Sequence, residues 1–178
     1  MLILGLAAAV IAAFCWAVSA ALYKKGAANV SPITANVLRS TPALVALVII
    51  GLLLNVYPLV CLLTLSDLWL IIGSSVFAFV IGDVLYFVSL QRIGISRATP
   101  LTAIYPLFVV VLQIVFLHEV VHALMIGAAV SAVMGVILLG SQLDPSKSAE
   151  SAVTQRVLWV GAAAAIATAA AWSVSIVL

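Results

Sequence analysis

Six stretches of this chain, roughly 2–22, 33–54, 69–90, 98–117, 121–140 and 157–178, are almost uninterruptedly apolar. Each runs for about the 20 residues that a helix needs to cross the hydrocarbon of a bilayer. That feature leaves few folds open. A backbone in lipid finds no water to bond, so its N–H and C=O groups must pair within helices or a closed barrel. The period-two alternation of barrel strands is absent. The expected fold is therefore an all-α integral membrane protein, a bundle of about six transmembrane helices. Composition agrees: 67% of the residues are apolar and 7% are charged, with a mean hydropathy of +1.41, whereas a soluble domain is nearer half apolar and a quarter charged. The lipid bilayer is thus the first partner implied. A net charge of +2 without a basic patch argues against nucleic acid. The first apolar stretch has no Lys or Arg before it and is too long for a signal-peptide core, so it reads as a retained span. Cys15 lies in that span and Cys61 in a loop, a spacing that suits neither a metal site nor a disulfide.

The connections are short and hold the helix breakers: "KKGAANVSP", "QRIGISR" and the polar "SQLDPSKSAESAVTQR". The apolar connection "NVYPLVCLLTLSD" is expected along the interface. Lys24 and Lys25 fall in the first connection, Arg92 and Arg97 in the third, Lys147 and Arg156 in the fifth, and the second and fourth hold no cation. The positive-inside rule makes the cationic face cytoplasmic and puts the N-terminus outside. The location implied is a cell membrane, plasma or inner, crossed several times.

The first and last spans begin alike. "GLAAAVIAAFCWAVSAAL" (5–22) and "GAAAAIATAAAWSVSIVL" (161–178) share nine identities in eighteen positions at an offset of 156, among them Gly5 with Gly161, Trp16 with Trp172, and Ser19 with Ser175. Five spans separate the two starts. The copies therefore cross in opposite directions, the sign of an inverted-topology repeat. Three parts follow: 1–140 as a five-span domain, 141–156 as a polar linker, and 157–178 as the first span of a second, truncated repeat. The chain reads as one half of an inverted-repeat transporter, with a missing second half or a homodimer partner to complete it. The sixth span is expected to pack poorly against its own half.

Several polar or aromatic residues inside spans could line a cavity. In "ATPLTAIYPL", Pro106 is interior, removing a helix hydrogen bond and freeing the Thr102 carbonyl. Thr102, Tyr105 and Gln113 are polar enough for a pore, or could merely pack about a kink. Trp16 and Trp172 could form an aromatic wall or serve only in packing. Arg39 and Asp83 are ionisable and lie about 10 Å below the cationic face, at 1.5 Å per residue. Ionisable groups at such depth face a bundle interior and pair, or serve a substrate path. One form has Arg39 holding a substrate carboxylate and Asp83 an amine or a proton; the other is a plain salt bridge between helices. "HEVVH" (118–122) matches a zinc-protease pattern. It sits at the end of a span and lacks a third ligand nearby, so an intramembrane zinc metalloprotease is the competing reading, and an inert or structural membrane fragment a further one. No catalytic residue, cofactor or metal ligand is assigned.

Residues 82–140, "GDVLYFVSLQRIGISRATPLTAIYPLFVVVLQIVFLHEVVHALMIGAAVSAVMGVILLG", resemble the EamA-like domain of the drug/metabolite transporter superfamily. Gly82, Tyr86, Pro106, Glu119, Gly127 and Gly135 carry the likeness, and Trp16, Trp172 and Arg39 fit the first two spans. The resemblance implies a ten-span secondary transporter of two inverted halves, with a cavity for a small-molecule substrate between them, such as an amino acid or related organic solute. Tyr86 joins the candidate cavity residues on that basis. In ten-span members the N-terminus usually lies in the cytoplasm, opposite to the charge count. The small four-span members carry a proton-coupling Glu in the first span, and this chain has no acid there.

Overall fold

The computed structural model describes residues 2–26, 29–118, 123–141 and 155–178, and every regular element among them is helical. The first three helices are α1 (Leu2–Gly26), α2 (Pro32–Leu53) and the short α3 (Tyr57–Val60). A continuous helical rod follows, made of α4 (Leu65–Ser75), a π-helical segment (Val76–Gly82) and α5 (Asp83–Ile93). Gly94 joins it to α6 (Ile95–Thr102), and α7 (Tyr105–Phe116), α8 (Ala123–Ser141) and α9 (Gln155–Val177) complete the order.

Four helical rods among the described residues are long and apolar enough to cross a membrane: Pro32–Leu53, Leu65–Ile93, Ile95–Phe116 and Gln155–Val177. The sequence suggested about six. The first and fifth expected spans contain the shorter apolar segments Leu4–Ser19 and Ala123–Gly135. Of the expected 141–156 linker, residues 142–154 lie outside the described residues, as do Glu119–His122 of the HEVVH motif.

Two helix boundaries differ from the sequence reading for local reasons. The third span begins at Leu65, not near 69, because Thr64 caps it. The Thr64 hydroxyl accepts from the Asp67 amide while the Asp67 carboxylate accepts from the Thr64 amide, a reciprocal capping box. The fourth span breaks at Ala103–Ile104, and Pro106 stands in the first turn of α7 rather than inside a helix. The Pro106 ring cannot follow the Thr102 carbonyl, four residues back, in a continuous helix, and proline itself suits a first turn. The carbonyl that finds a partner across the bundle is that of Tyr105, which accepts from the Ser173 hydroxyl of α9 at 2.9 Å.

The core lies where α9 crosses α5, α6, α7 and the π segment. It is made of small and hydroxyl-bearing residues. Ala98, Ala165, Ala169, Ser89, Thr168 and Ser173 have no exposed surface, and Phe87 and Tyr86 have almost none. Helices in lipid gain nothing by hiding apolar surface from one another, so they associate by close packing and by bonds across the interface. Gly161 illustrates it: a Cβ there would lie 2.4 Å from Ile93 Cγ2. The expectation that the last helix packs poorly on its own half is therefore wrong. The run of small residues that made it look like a spare repeat copy also lets it approach α5 closely.

Candidate functional site

Polar groups from α2, α5 and α9 meet beside the π segment. In an α-helix the Asp83 amide would bond the Phe79 carbonyl; here it bonds Ala78, one residue further back. Asn36 of α2 donates its side-chain Nδ2–H to the Phe79 oxygen. One turn along α2, the Arg39 guanidinium forms a salt bridge with the Asp83 carboxylate. Both charges are largely withdrawn from the surface, with 20% of the Arg39 side chain and 5% of that of Asp83 exposed. Arg39 also lies 5.9 Å from the ring centre of Tyr23 and 6.0 Å from that of Phe87, within cation–π range.

An aromatic group adjoins this pair. Trp16 stacks on Tyr86 with ring centres 6.2 Å apart, and Trp172 packs on the same Tyr86 at 5.5 Å. Tyr105 meets Trp172 edge-on at 6.3 Å. Tyr86 is thus flanked by the two tryptophans of the matching terminal spans. The indole of Trp172 fits because residue 82 is glycine: a Cβ there would stand 2.5 Å from Trp172 Cδ1. The Tyr86 hydroxyl, with that of Thr99 beside it, is buried and lacks a well-formed hydrogen bond, and the Ser89 hydroxyl is likewise buried and unpartnered.

Of the residues singled out in the sequence, Arg39, Asp83, Trp16, Tyr86, Tyr105 and Trp172 come together. Thr102 is buried, but its hydroxyl bonds the Thr99 carbonyl of its own helix, so it presents no free group to a cavity. Gln113 lies further along α7, with a buried Oε1 that has no partner. Tyr23, Phe87, Asn36 and Thr99 were missed. Asn36 could have been found, since it is polar, sits in an apolar span and precedes Arg39 by three residues. An aromatic residue in an apolar helix carries no such signal.

An ion pair held among apolar helices beside an aromatic cluster, in a bundle whose longer rods match the thickness of a bilayer, marks a helical integral membrane protein. The chain belongs to the EamA-like transporter family, which matches residues 3–141. It is 36% identical over 130 residues to an uncharacterized transporter of Archaeoglobus fulgidus, an alignment covering 70% of this chain and 46% of the relative. The chain thus spans about half the length of that relative. No solved structure matches it. These likenesses agree with the drug/metabolite transporter superfamily and lend no support to a protease.

Proposed function

We propose that this chain forms one half of a secondary-type transporter that carries a small organic solute, such as an amino acid or a related compound, across the cell membrane by alternating access. The observation that carries the reading is the buried Arg39–Asp83 pair beside Trp16, Tyr86 and Trp172. Two opposite charges can exchange their mutual bond for bonds to a solute that bears both a carboxylate and an amine. The gain is small in each step, as a carrier needs, because neither charge is ever left bare in a low-dielectric interior. The aromatic faces would hold the apolar part of the solute, and the broken fourth span gives a wall that can rearrange.

The test is uptake of a panel of radiolabelled amino acids and related carboxylates or amines into proteoliposomes. It uses the chain together with whatever spans its reading frame adds after residue 178. Uptake that is lost in the Arg39→Gln, Asp83→Asn double variant, while the folded fraction stays at the wild-type level, supports the reading. Undiminished uptake in that variant would show that the pair only ties α2 to α5.

A further inference from the structure

The fourth span and α9 start at the same end of the bundle and run side by side. Arg97 neighbours Gln155 at their first turns, and the Tyr105 carbonyl takes the Ser173 hydroxyl further along. Between those first turns lies a groove of 510 Å³, within the size range of small-ligand sites. Arg97 and Leu101 line it from α6 at i and i+4, and Gln155, Leu158 and Ala162 line it from α9 at i, i+3 and i+7. Ile93, at the end of α5, completes the wall and is buried. Leu101, Leu158 and Ala162 are half-buried, whereas Arg97, Gln155 and Trp159 are exposed. The polar residues thus stand at the mouth. Ala162 follows Gln155 by seven residues, so the apolar wall reaches about 10 Å below the mouth at 1.5 Å per residue. The mouth is positive. Arg156 follows Gln155, and Arg92 packs beside the same stretch of α9, where a Cβ on Gly161 would lie 3.2 Å from Arg92 Cβ. Neither α6 nor α9 has an acid in its first turn. The two acids among the described residues are engaged elsewhere, Asp83 with Arg39 and Asp67 with Thr64. Among those residues, neither Arg97 nor Arg156 has an acidic partner.

We propose that this groove binds an anionic phospholipid of the leaflet on the cationic face. Its phosphate sits at Arg97 and Arg156, and the upper part of one acyl chain lies against Leu101, Leu158 and Ala162. A ligand that uses the whole site has to be anionic at one end and apolar at the other. It also has to arrive at the boundary between lipid and water, the level that the exposed Trp159 marks. A phospholipid meets both demands, and the bilayer already holds it at that level. Guanidinium groups pair with phosphate through two parallel hydrogen bonds, and basic pockets between helices at the cytoplasmic side suit anionic headgroups. A free anion would leave the apolar walls unused. The connection before α9 is polar in sequence, with Leu143 and Val153 its largest apolar residues, and has little to fill those walls. The site shares no residue with the Arg39–Asp83 pair, so it stands whether or not that pair carries a solute. Its occupant ties α6, the first part of the broken fourth span, to α9.

Photo-crosslinking tests the site without any transport substrate. The chain, with any spans its frame adds after residue 178, is placed in phosphatidylcholine nanodiscs. These are doped with phosphatidylglycerol or with phosphatidylcholine, each bearing the same diazirine on an acyl chain. Labelled peptides are then mapped by mass spectrometry. The expected result is that phosphatidylglycerol labels 93–101 and 155–162 several-fold more than phosphatidylcholine does. Arg97→Gln with Arg156→Gln, both at exposed positions, should bring the two lipids to parity. Lys24→Gln with Lys25→Gln, cations of the same face outside the groove, should leave the preference intact. Ala162→Phe, which fills the groove, should reduce labelling by both lipids. Thermal unfolding in detergent gives a second readout: phosphatidylglycerol raises the midpoint of the wild type and not that of the double arginine variant. Equal labelling by the two lipids in the wild type overturns the proposal, as does a preference lost equally in the lysine variant, which would mean diffuse surface charge. So does an absence of label in both peptides, which would mean that other spans, the connection before α9 or a second copy covers the groove. A midpoint raised as much by glycerol phosphate as by phosphatidylglycerol would make it a free-anion site and overturn the lipid assignment.

Discussion

Arg39 carries a permanent charge into apolar surroundings, and its neighbours determine what that costs. An unpaired arginine at the centre of a membrane helix costs at least about 2.5–3.5 kcal/mol. Asp83 offsets part of this by direct pairing, and the rings of Tyr23 and Phe87 add a weaker attraction. Removal of one partner leaves the other charge buried. Asp83→Asn or Arg39→Gln should therefore destabilise the protein by about 3–5 kcal/mol, read as a fall in the thermal midpoint in detergent. The double variant should recover most of that loss. Gly82 makes a second, steric prediction. Gly82→Val would drive its side chain into the Trp172 indole and should cost about 1–3 kcal/mol by overpacking. Adding Trp172→Ala should relieve part of the cost, again by the midpoint. The charged pair was legible in the sequence because ionisable residues stand out in apolar spans. Their meeting was less so. With the observed helix ends, Asp83 lies ten residues from the end of α5, about 15 Å at 1.5 Å per residue, not the 10 Å inferred for both groups. The long arginine side chain spans the difference. The roles of Tyr23 and Phe87 left no trace, since a ring in an apolar helix looks the same whether it faces lipid or a guanidinium.

The π segment is the element on which the site depends. One extra residue per turn shifts the Asp83 amide from Phe79 to Ala78 and frees the Phe79 carbonyl. Asn36 takes that carbonyl and so ties α2 to the third span just before the salt bridge does the same. Asn36→Ala would leave a buried acceptor without its donor, and a loss of about 1–3 kcal/mol is expected. Faster amide exchange around Val76–Gly82 would accompany it, and unchanged exchange there would mean that the π register holds itself. Thr64→Ala removes the cap of the same rod and should cost about 1 kcal/mol, with fraying confined to the first turn of α4. That cap could have been read from Thr64 and Asp67, at the spacing of a capping box, had the apolar run not suggested a start at 69. The π register could not. Nothing in "VFAFVIG" breaks a helix, and the wide turn is held from outside, by Asn36. The break in the fourth span was half legible. Pro106 marked it, but proline disturbs the chain before itself, so the gap opened at Ala103–Ile104.

At the scale of the whole molecule, the ends of the rods decide which way it faces. Gln91 near the end of α5 donates to the Val30 carbonyl just before α2 at 2.9 Å, bringing the first and third connections to one end of the bundle. Ile93, Arg97 and Leu101 share a groove of 510 Å³ with Gln155, Leu158, Trp159 and Ala162, which brings the start of α9 to the same end. The helix ends that carry Lys24, Lys25, Arg92, Arg97 and Arg156 thus gather on one face, as the sequence reading expected. Cations near span ends are held back from translocation, so this face is expected in the cytoplasm. An exposed tryptophan, Trp159, stands at the same level, where indole rings favour the boundary between lipid and water. A reporter active only in the cytoplasm should therefore work when fused near Lys25 and fail when fused after Leu54, and a periplasmic or external reporter should give the opposite pattern. The likeness to ten-span members implies the reverse orientation. Inverted activity of both reporters would mean that the cations of this chain do not set its orientation. Since these cations sit on one face whichever way the chain inserts, Lys24→Gln, Lys25→Gln and Arg97→Gln together should then leave the orientation unchanged. If the local charges govern, the same three substitutions should produce a mixed population, visible as partial activity of both reporters at each site.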